Sequence, residues 1–359
     1  MVYEIMHREN CVAQISTVGE CKIYLEDFMP YDLMLEESDD FDKRIKNAMS
    51  FYSWCVSRMI PPDRTYAKEI LNSIGASQSV TDRDRAQIAL SYHCLSLLDV
   101  FWVKEKNEKV RFEDINLFAH SLSNALVDIA LRGHQMTVTN AHLLANDLST
   151  GGLYPKAWVR KEDGFYLYKD GGRDAVEREV LASKICRCFD CHQVLYEQGM
   201  FENEPVSISK IMTSQRYSLV TYAAYDVYCT NHDWNTLDKV LELDAHGYYM
   251  MNILDYLVGN TDRHWENWGL LVDNETNQPI RLHDLMDFNR AFQQYDTPEG
   301  ANCLTVGKRN LSQKAAAEEA VRKIGLNQLD ELDDTAFAVH SEWGETLKKR
   351  LDILRTAAS

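Results

Sequence analysis

The sequence predicts an α+β chain in three segments. These are an N-terminal module of short strands then helices (residues 1–140), a mainly β segment (141–236) and an α-helical segment (237–359). Three observations predict it. Apolar residues recur at helical spacing from Phe41 to about Gly133. Alternating runs broken by glycine-bearing turns take over from about 148 to 222. A strongly apolar stretch, His246 to Val258, then opens a second helical region.

Composition sets the bounds. The chain has 359 residues, 45% of them hydrophobic, which is ample for a core and suggests two or three domains. Acidic residues outnumber basic ones 55 to 38, a formal net charge of -17, and no basic run occurs. A phosphate backbone needs clustered Lys and Arg, so nucleic acid is excluded as a direct ligand. Nine cysteines are scattered without a disulfide-scaffold spacing, the N-terminus lacks an apolar h-region, and no run of about 18 apolar residues exists. The expectation is a cytoplasmic protein with reduced thiols and no membrane contact.

In the first segment, Val12–Ser16 and Lys22–Leu25 read as strands flanking the turn Val18-Gly19-Glu20. The acidic run Glu36–Asp40 reads as a solvated link or helix start. Ile45, Met49, Tyr52, Val56 and Met59 form a helical stripe, stopped by Pro61-Pro62. A further helix opens at Asp63 or Arg64 and ends at Gly75. Thr81 is an N-cap candidate for a helix over Asp82–Leu98, and Leu117–Leu131 gives another. The aromatic run Asp99–Val103 reads as core or interface.

In the second segment, Leu148–Val159 and Gly164–Lys169 read as strands. The turn Ser149-Thr150-Gly151-Gly152 has two readings, backbone N–H groups aimed at phosphates or an ordinary hairpin turn. Lys169 ends its strand, and a helix from Asp174 to about Cys191 carries Glu177 and Glu179 in its first turns. A strand lysine fixed by a helix glutamate is how protein kinases hold nucleotide phosphates; the competing reading is a surface lysine beside acids at a helix N-terminus. Cys186, Cys188 and Cys191 read as thiols on a core helix, with a metal site that includes His192 as the alternative. Strands over Ser207–Met212 and Tyr217–Tyr222 lead into Ala223-Ala224-Tyr225-Asp226, a hinge whose backbone could pair with an adenine edge.

In the third segment, helices over Leu237–Leu243 and His246–Val258 deliver the loop Gly259–Gly269. Asp262 and Asn267 stand five residues apart, the spacing of the acid and amide in the kinase catalytic loop. A phosphoryl acceptor hydroxyl needs a carboxylate to take its proton, and a metal on the phosphates needs hard oxygen ligands. Leu270–Val272 and Ile280–Leu282 read as a hairpin around Asp273–Asn277, returning Asp287 beside Asn267. Helices over Ser312–Ile324 and Thr335–Leu354 close the chain.

Taken in order, these parts run Gly-Gly-x-x-Pro-Lys-Ala, strand lysine, helix glutamate, hinge, Gly-Asn-Thr-Asp-x-His-x-x-Asn, Asp-Phe. Over about residues 140–295 this resembles the HipA-like serine/threonine kinases, and more distantly the phosphatidylinositol 3-kinase-like fold. The resemblance implies a bilobal protein-kinase-like fold with a β nucleotide lobe (141–236), a helical C-lobe (237–359) and a mainly helical N-terminal module; the pattern of this module departs from the toxin kinases of the family in being more helical. It implies ATP and Mg²⁺ as cofactors, a protein substrate and an antitoxin-like partner. By residue it implies Gly151, Gly152, Pro155 and Lys156 in the phosphate loop and Lys169 as nucleotide lysine, paired with Glu179 (Glu177 as fallback). Tyr222 falls at the hinge, and His264 on the nucleotide side as a brace of the loop. Asp262 falls as catalytic acid, and Asn267 and Asp287 (Asp284 as alternative) as magnesium ligands. Autophosphorylation of Ser149 or Thr150 is implied as well. Two other classes stand beside this one: a kinase acting on a lipid or small-molecule acceptor, and a non-catalytic binding module on the same scaffold.

Overall fold

A computed structural model describes residues 1–58, 81–120, 156–201, 203–293, 295–332, 337 and 340–359. The chain forms two compact units. The first comprises Met1–Phe165 with two later loops, Thr213–Ser218 and Asp273–Gln278. The second comprises Tyr166–Met212, Leu219–Val272 and Pro279–Ser359.

The first unit is built on a four-stranded sheet: β1 (Val2–His7), β2 (Asn10–Ser16), β3 (Cys21–Ile23) and β4 (Phe101–Glu105), in the order β3-β2-β1-β4. All neighbours are antiparallel. The sheet has two strands, β1 and β4, beyond the two expected in this region, because they meet across almost a hundred residues, a pairing that no local pattern announces. The aromatic run is core, as expected, because it supplies β4: Phe101, Trp102 and Val103 are buried. Gly19 sits at φ +81 in the β2–β3 turn, where a Cβ would fall 1.8 Å from the Arg44 carbonyl oxygen, so no side chain fits.

Helix α1 (Phe41–Ser57) is N-capped by Asp40, which accepts from the Lys43 amide. Its buried face carries Asn47, Phe51, Trp54 and Cys55, whereas Ile45 and Met49 of the expected stripe are exposed. The polar Asn47 belongs inside because its amide donates to the carbonyls of Gly19 and Glu36. Arg58 follows, buried and bidentate on Asp99. Helix α2 (Asp82–Ser91) starts from Thr81 in a reciprocal capping box with Asp84. It ends at Ser91 rather than Leu98, because His93 and Cys94 turn to positive φ (59° and 52°) and redirect the chain. A one-turn helix, α3 (Phe112–Ile115), stands just before residues expected to begin a helix at Leu117; 117–120 form a turn, and the rest of that expected helix, 121–131, lies outside the described residues. The helix expected over 63–75 lies outside the described residues. Strand β5 (Lys156–Lys161) closes the unit's continuous part. The two later loops hold onto its interior: Asn277 donates to the carbonyls of Asp27 and Met29, Tyr31 donates to the Asn277 carbonyl, and Thr213 donates to that of Leu97.

In the second unit, β6 (Gly164–Lys169) pairs antiparallel with β8 (Glu204–Lys210), which pairs antiparallel with β7 (Tyr196–Phe201). The register sets Lys169 opposite Ser207. β7 escapes the sequence reading because it is short and mostly exposed, with Met200 and Phe201 outside. Helix α4 (Arg173–Cys186) buries Ala175, Val176, Glu179, Ala182 and Cys186. It stops before Cys188 and Cys191, so these two thiols lie on the following loop.

Strands β9 (Tyr217–Thr221), β10 (Gly269–Asp273) and β11 (Gln278–Leu282) form a sheet in the order β11-β10-β9, which includes the expected hairpin. Helix α5 (Tyr222–Asn231) begins where a hinge was expected. Helix α6 (Thr236–Val258) breaks at Asp244 (φ −154°, ψ 72°), matching the two expected helices. The Asp244 carboxylate makes that break: one oxygen caps the Gly247 amide, the other accepts from Leu282. Helix α7 (Gln313–Ile324) is capped by Ser312. Helix α8 (Ser341–Ala358) places Arg350, fully buried, between the Tyr256 and Tyr295 rings. Arg350 donates to the carbonyls of Tyr256 and Thr297. No described helix is long and apolar enough to cross a membrane.

Candidate active site

The site is assembled within the second unit by three backbone devices. β6 ends on Lys169, α4 presents Glu179 on its buried face, and α6 runs into the loop that carries Asp262 and Asn267. Gly259 ends α6 in a left-handed conformation (φ +62); a Cβ there would come within 2.6 Å of the Tyr295 ring, so glycine is required to release the loop.

Lys169 is the centre of charge. Its Nζ lies 2.7 Å from Glu179 Oε1 and 3.2 Å from Asp287 Oδ1, over the Tyr196 ring at 5.0 Å. Burial alone would lower its pKa, but the adjoining Asp287 and Glu179 carboxylates outweigh that and hold it well above the usual lysine value. Glu179 is 1% exposed, and its other oxygen accepts from Ser207 Oγ at 2.5 Å. Ser207 reaches it because the strand register places it across from Lys169. The choice between two glutamates is thereby decided: Glu177 pairs with Arg173 at the surface, 3.0 Å away.

The loop is braced by Arg263. Its guanidinium takes both oxygens of Asp255 at 2.9 Å and donates to the carbonyls of Asn267 (2.8 Å) and Met286 (2.5 Å). One buried side chain thus ties the loop bearing Asp262 to the segment bearing Asp287. Phe288 lies under the same guanidinium, 5.1 Å away. Asn260 adds to the brace, donating to Asp255 and accepting from the Asp262 amide. The His264 side chain is exposed, its Nδ1 accepting the nearby Glu266 amide, while its backbone ties the loop: its amide donates to the Asp262 carbonyl and its carbonyl accepts from the Asn267 amide. The sequence contained the signal for Arg263, an acid eight residues back on the preceding helix, but a cation within the loop reads first as a surface charge.

Asn267 donates from Nδ2 to the Asp262 carbonyl at 2.7 Å, which commits its donor end to the loop. Asp262 is partly buried; desolvation raises its carboxyl above the usual aspartate value, and Arg290, 3.4 Å away, opposes that rise. Asp287 adopts positive φ (61°), its amide donating to the Tyr196 hydroxyl at 3.1 Å. Asp284 faces elsewhere, paired with Arg281 at 2.8 Å. Arg178 of α4 donates to the Asn289 carbonyl, a further tie on this segment.

Tyr222 is not an open hinge residue. Its ring stacks on Trp268 at 4.2 Å, and its amide and that of Ala223 donate to the carbonyls of Trp268 and Trp265. The helix start has consumed the backbone groups that would meet an adenine edge. Gly151, Gly152, Pro155, Ser149 and Thr150 lie outside the described residues; Lys156 begins β5, and its side chain is likewise outside them. Among the described residues no group of three or more His, Cys, Asp or Glu could hold a metal ion, and Cys186 is buried in the core.

No protein-family model matches the chain, and no curated protein matches it. Solved structures do. HipA of Shewanella oneidensis MR-1, solved as a toxin–antitoxin system with HipB and operator DNA, matches at a TM-score of 0.53 with 11% identity over 99% of both chains. The chain has a HipA-like kinase fold. The proinflammatory kinase CtkA of Helicobacter pylori is also similar, at a TM-score of 0.45 and 15% identity over 58% of this chain and 92% of that one. The HipA-like likeness runs the length of the chain, whereas the motif resemblance covered only its middle.

Proposed function

We propose that this HipA-like chain is an ATP- and Mg²⁺-dependent phosphotransferase acting on a protein serine or threonine hydroxyl. One observation carries the proposal: a buried lysine held between a helix glutamate and the Asp-Phe aspartate, with an Asp-x-x-x-x-Asn loop braced onto the same segment. That is the charge distribution phosphoryl transfer needs, a cation for the phosphates beside carboxylate and amide oxygens for a metal.

The donor set fits magnesium, which takes one or two carboxylates and otherwise relies on water and substrate phosphates. Asp287 and Asn267 are the residues that would hold it. When bound, the metal neutralises charge developing on the transferred phosphoryl group. Lys169 binds the nucleotide phosphates, with Glu179 and Ser207 fixing its direction. Asp262 orients the acceptor hydroxyl and takes its proton. The acceptor oxygen then bonds to the γ-phosphorus as the bond to the β–γ bridging oxygen breaks and ADP leaves. Arg263 and Asn260 keep Asp262 and Asp287 in register. An antitoxin-like protein partner belongs to the proposal on the likeness to HipA, which was solved with HipB. The formal charge of -17 argues against nucleic acid as a direct ligand.

The test is to incubate the chain with ATP, Mg²⁺ and generic protein acceptors and to map phosphate by mass spectrometry. Phosphoserine or phosphothreonine that vanishes in Asp287→Asn supports the proposal. A chain that binds no nucleotide, or an Asp287→Asn variant that phosphorylates like the wild type, overturns it.

A further inference from the structure

Residues 192–196 run alongside 285–287 inside the second unit. The Leu285 amide donates to the His192 carbonyl, and the Val194 amide donates to the Leu285 carbonyl, both at 2.9 Å. Two residues further along each segment come Tyr196 and Asp287. A third backbone rung would fall here, but the Tyr196 amide is already bound to Ser183 Oγ at 3.1 Å. Asp287, at φ +61, turns its own amide out of line. The Tyr196 phenol oxygen takes that amide at 3.1 Å instead. The same ring lies beneath the Lys169 ammonium.

We infer that Tyr196 is a positioning residue for the metal-binding aspartate, holding Asp287 by its backbone so that the carboxylate faces Lys169. This deepens the phosphotransferase reading and rests on it. A left-handed non-glycine residue persists where its surroundings over-determine it. The restraints here include the phenol oxygen, the flanking Leu285 rungs, the Asp287 carbonyl held by Asn260 and the Met286 carbonyl held by Arg263. Phenylalanine at this position would keep the ring under Lys169 and remove only the acceptor of the Asp287 amide.

The experiment measures Mn²⁺ binding by the electron paramagnetic resonance of free Mn²⁺, with a non-hydrolysable ATP analogue at saturation. Wild type, Tyr196→Phe, Asp287→Ala and the double variant are compared, with metal-free nucleotide binding and thermal unfolding followed in parallel. Tyr196→Phe should weaken Mn²⁺ about tenfold, as loss of an outer-shell partner does, while leaving metal-free nucleotide binding in place. In the Asp287→Ala background the same change should have no further effect on Mn²⁺. A Tyr196→Phe variant with wild-type Mn²⁺ affinity, or an equal loss whether or not Asp287 is present, overturns the inference. A wild type that binds no Mn²⁺–nucleotide overturns the phosphotransferase reading instead, so the two failures are told apart.

Discussion

Two buried arginines in this molecule make almost the same set of bonds. Arg58, in the first unit, takes both oxygens of Asp99 (2.9 and 2.7 Å) and the carbonyls of Cys94 and Phe101. Arg263, in the second, takes both oxygens of Asp255 and the carbonyls of Asn267 and Met286. In both, a bidentate pair compensates two desolvated charges and the remaining donors are spent on backbone. The difference is what that backbone carries. Cys94 and Phe101 flank the entry to a core strand, so Arg58 closes a fold. Asn267 and Met286 belong to two segments bearing candidate catalytic oxygens, so Arg263 sets a distance on which chemistry depends. A buried ion pair is thus a general fastener, and its functional weight comes from what it fastens.

Breaking both fasteners separates the roles. Arg58→Met leaves a partly buried carboxylate and Arg263→Met a buried one without its cation, and each should cost about 3–5 kcal/mol of stability, measured by denaturant unfolding. Phosphoryl transfer per folded molecule should fall about a hundredfold or more in Arg263→Met and stay near wild type in Arg58→Met. Equal loss of transfer in both would erase the distinction.

Each unit also buries a neutral histidine, and acid should find both. His7, among Phe28 and Phe101, and His283, beside the Asp284 carbonyl, are each pushed by burial from 6.5 down to about 4. Between those values the unfolded chain holds a proton that the native chain refuses, so stability is full above pH 6.5 and declines as pH falls towards 4. The expected loss is about 3 kcal/mol per histidine across that window. His7→Leu should flatten the first unit's share of the decline, checked by unfolding at pH 7 and pH 5.

Smaller effects sharpen the second unit alone. Ser207→Ala leaves one buried oxygen of Glu179 without its donor, at about 1–3 kcal/mol, and should raise the ATP requirement without abolishing transfer. Smallest is the shift of a pH profile. Asp262 has a raised carboxyl pKa from desolvation, opposed by Arg290. The acid limb of the transfer rate should therefore sit above the ordinary aspartate range, and Arg290→Gln should move it further up.

Much of the site was legible because its chemistry is local. Asp262 and Asn267 share one loop, Glu179 follows Lys169 within one strand-to-helix turn, and the hairpin that returns Asp287 is announced by its own turn residues. What was not legible is non-local or counter to pattern. β1 and β4 find each other across the first unit. α1 buries Asn47 and exposes Met49 because backbone carbonyls from other segments satisfy the amide. Arg263 looks like a surface charge until Asp255 and two carbonyls surround it, and Tyr222 looks like a hinge until Trp268 stacks on it. Ser207 and Tyr196 act through strand register and a left-handed aspartate, neither of which a single sequence displays.

In the proposed function Lys169 and its carboxylates bind the nucleotide, and a separate acid, Asp262, takes the acceptor proton. The direct measurement is calorimetric binding of ATP with Mg²⁺ alongside single-turnover transfer, for wild type, Lys169→Met and Asp262→Asn. Lys169→Met should lose binding and transfer together, whereas Asp262→Asn should bind like the wild type and transfer nothing. An Asp262→Asn variant that transfers at the wild-type rate, or a Lys169→Met variant with undiminished affinity, would contradict this division of roles.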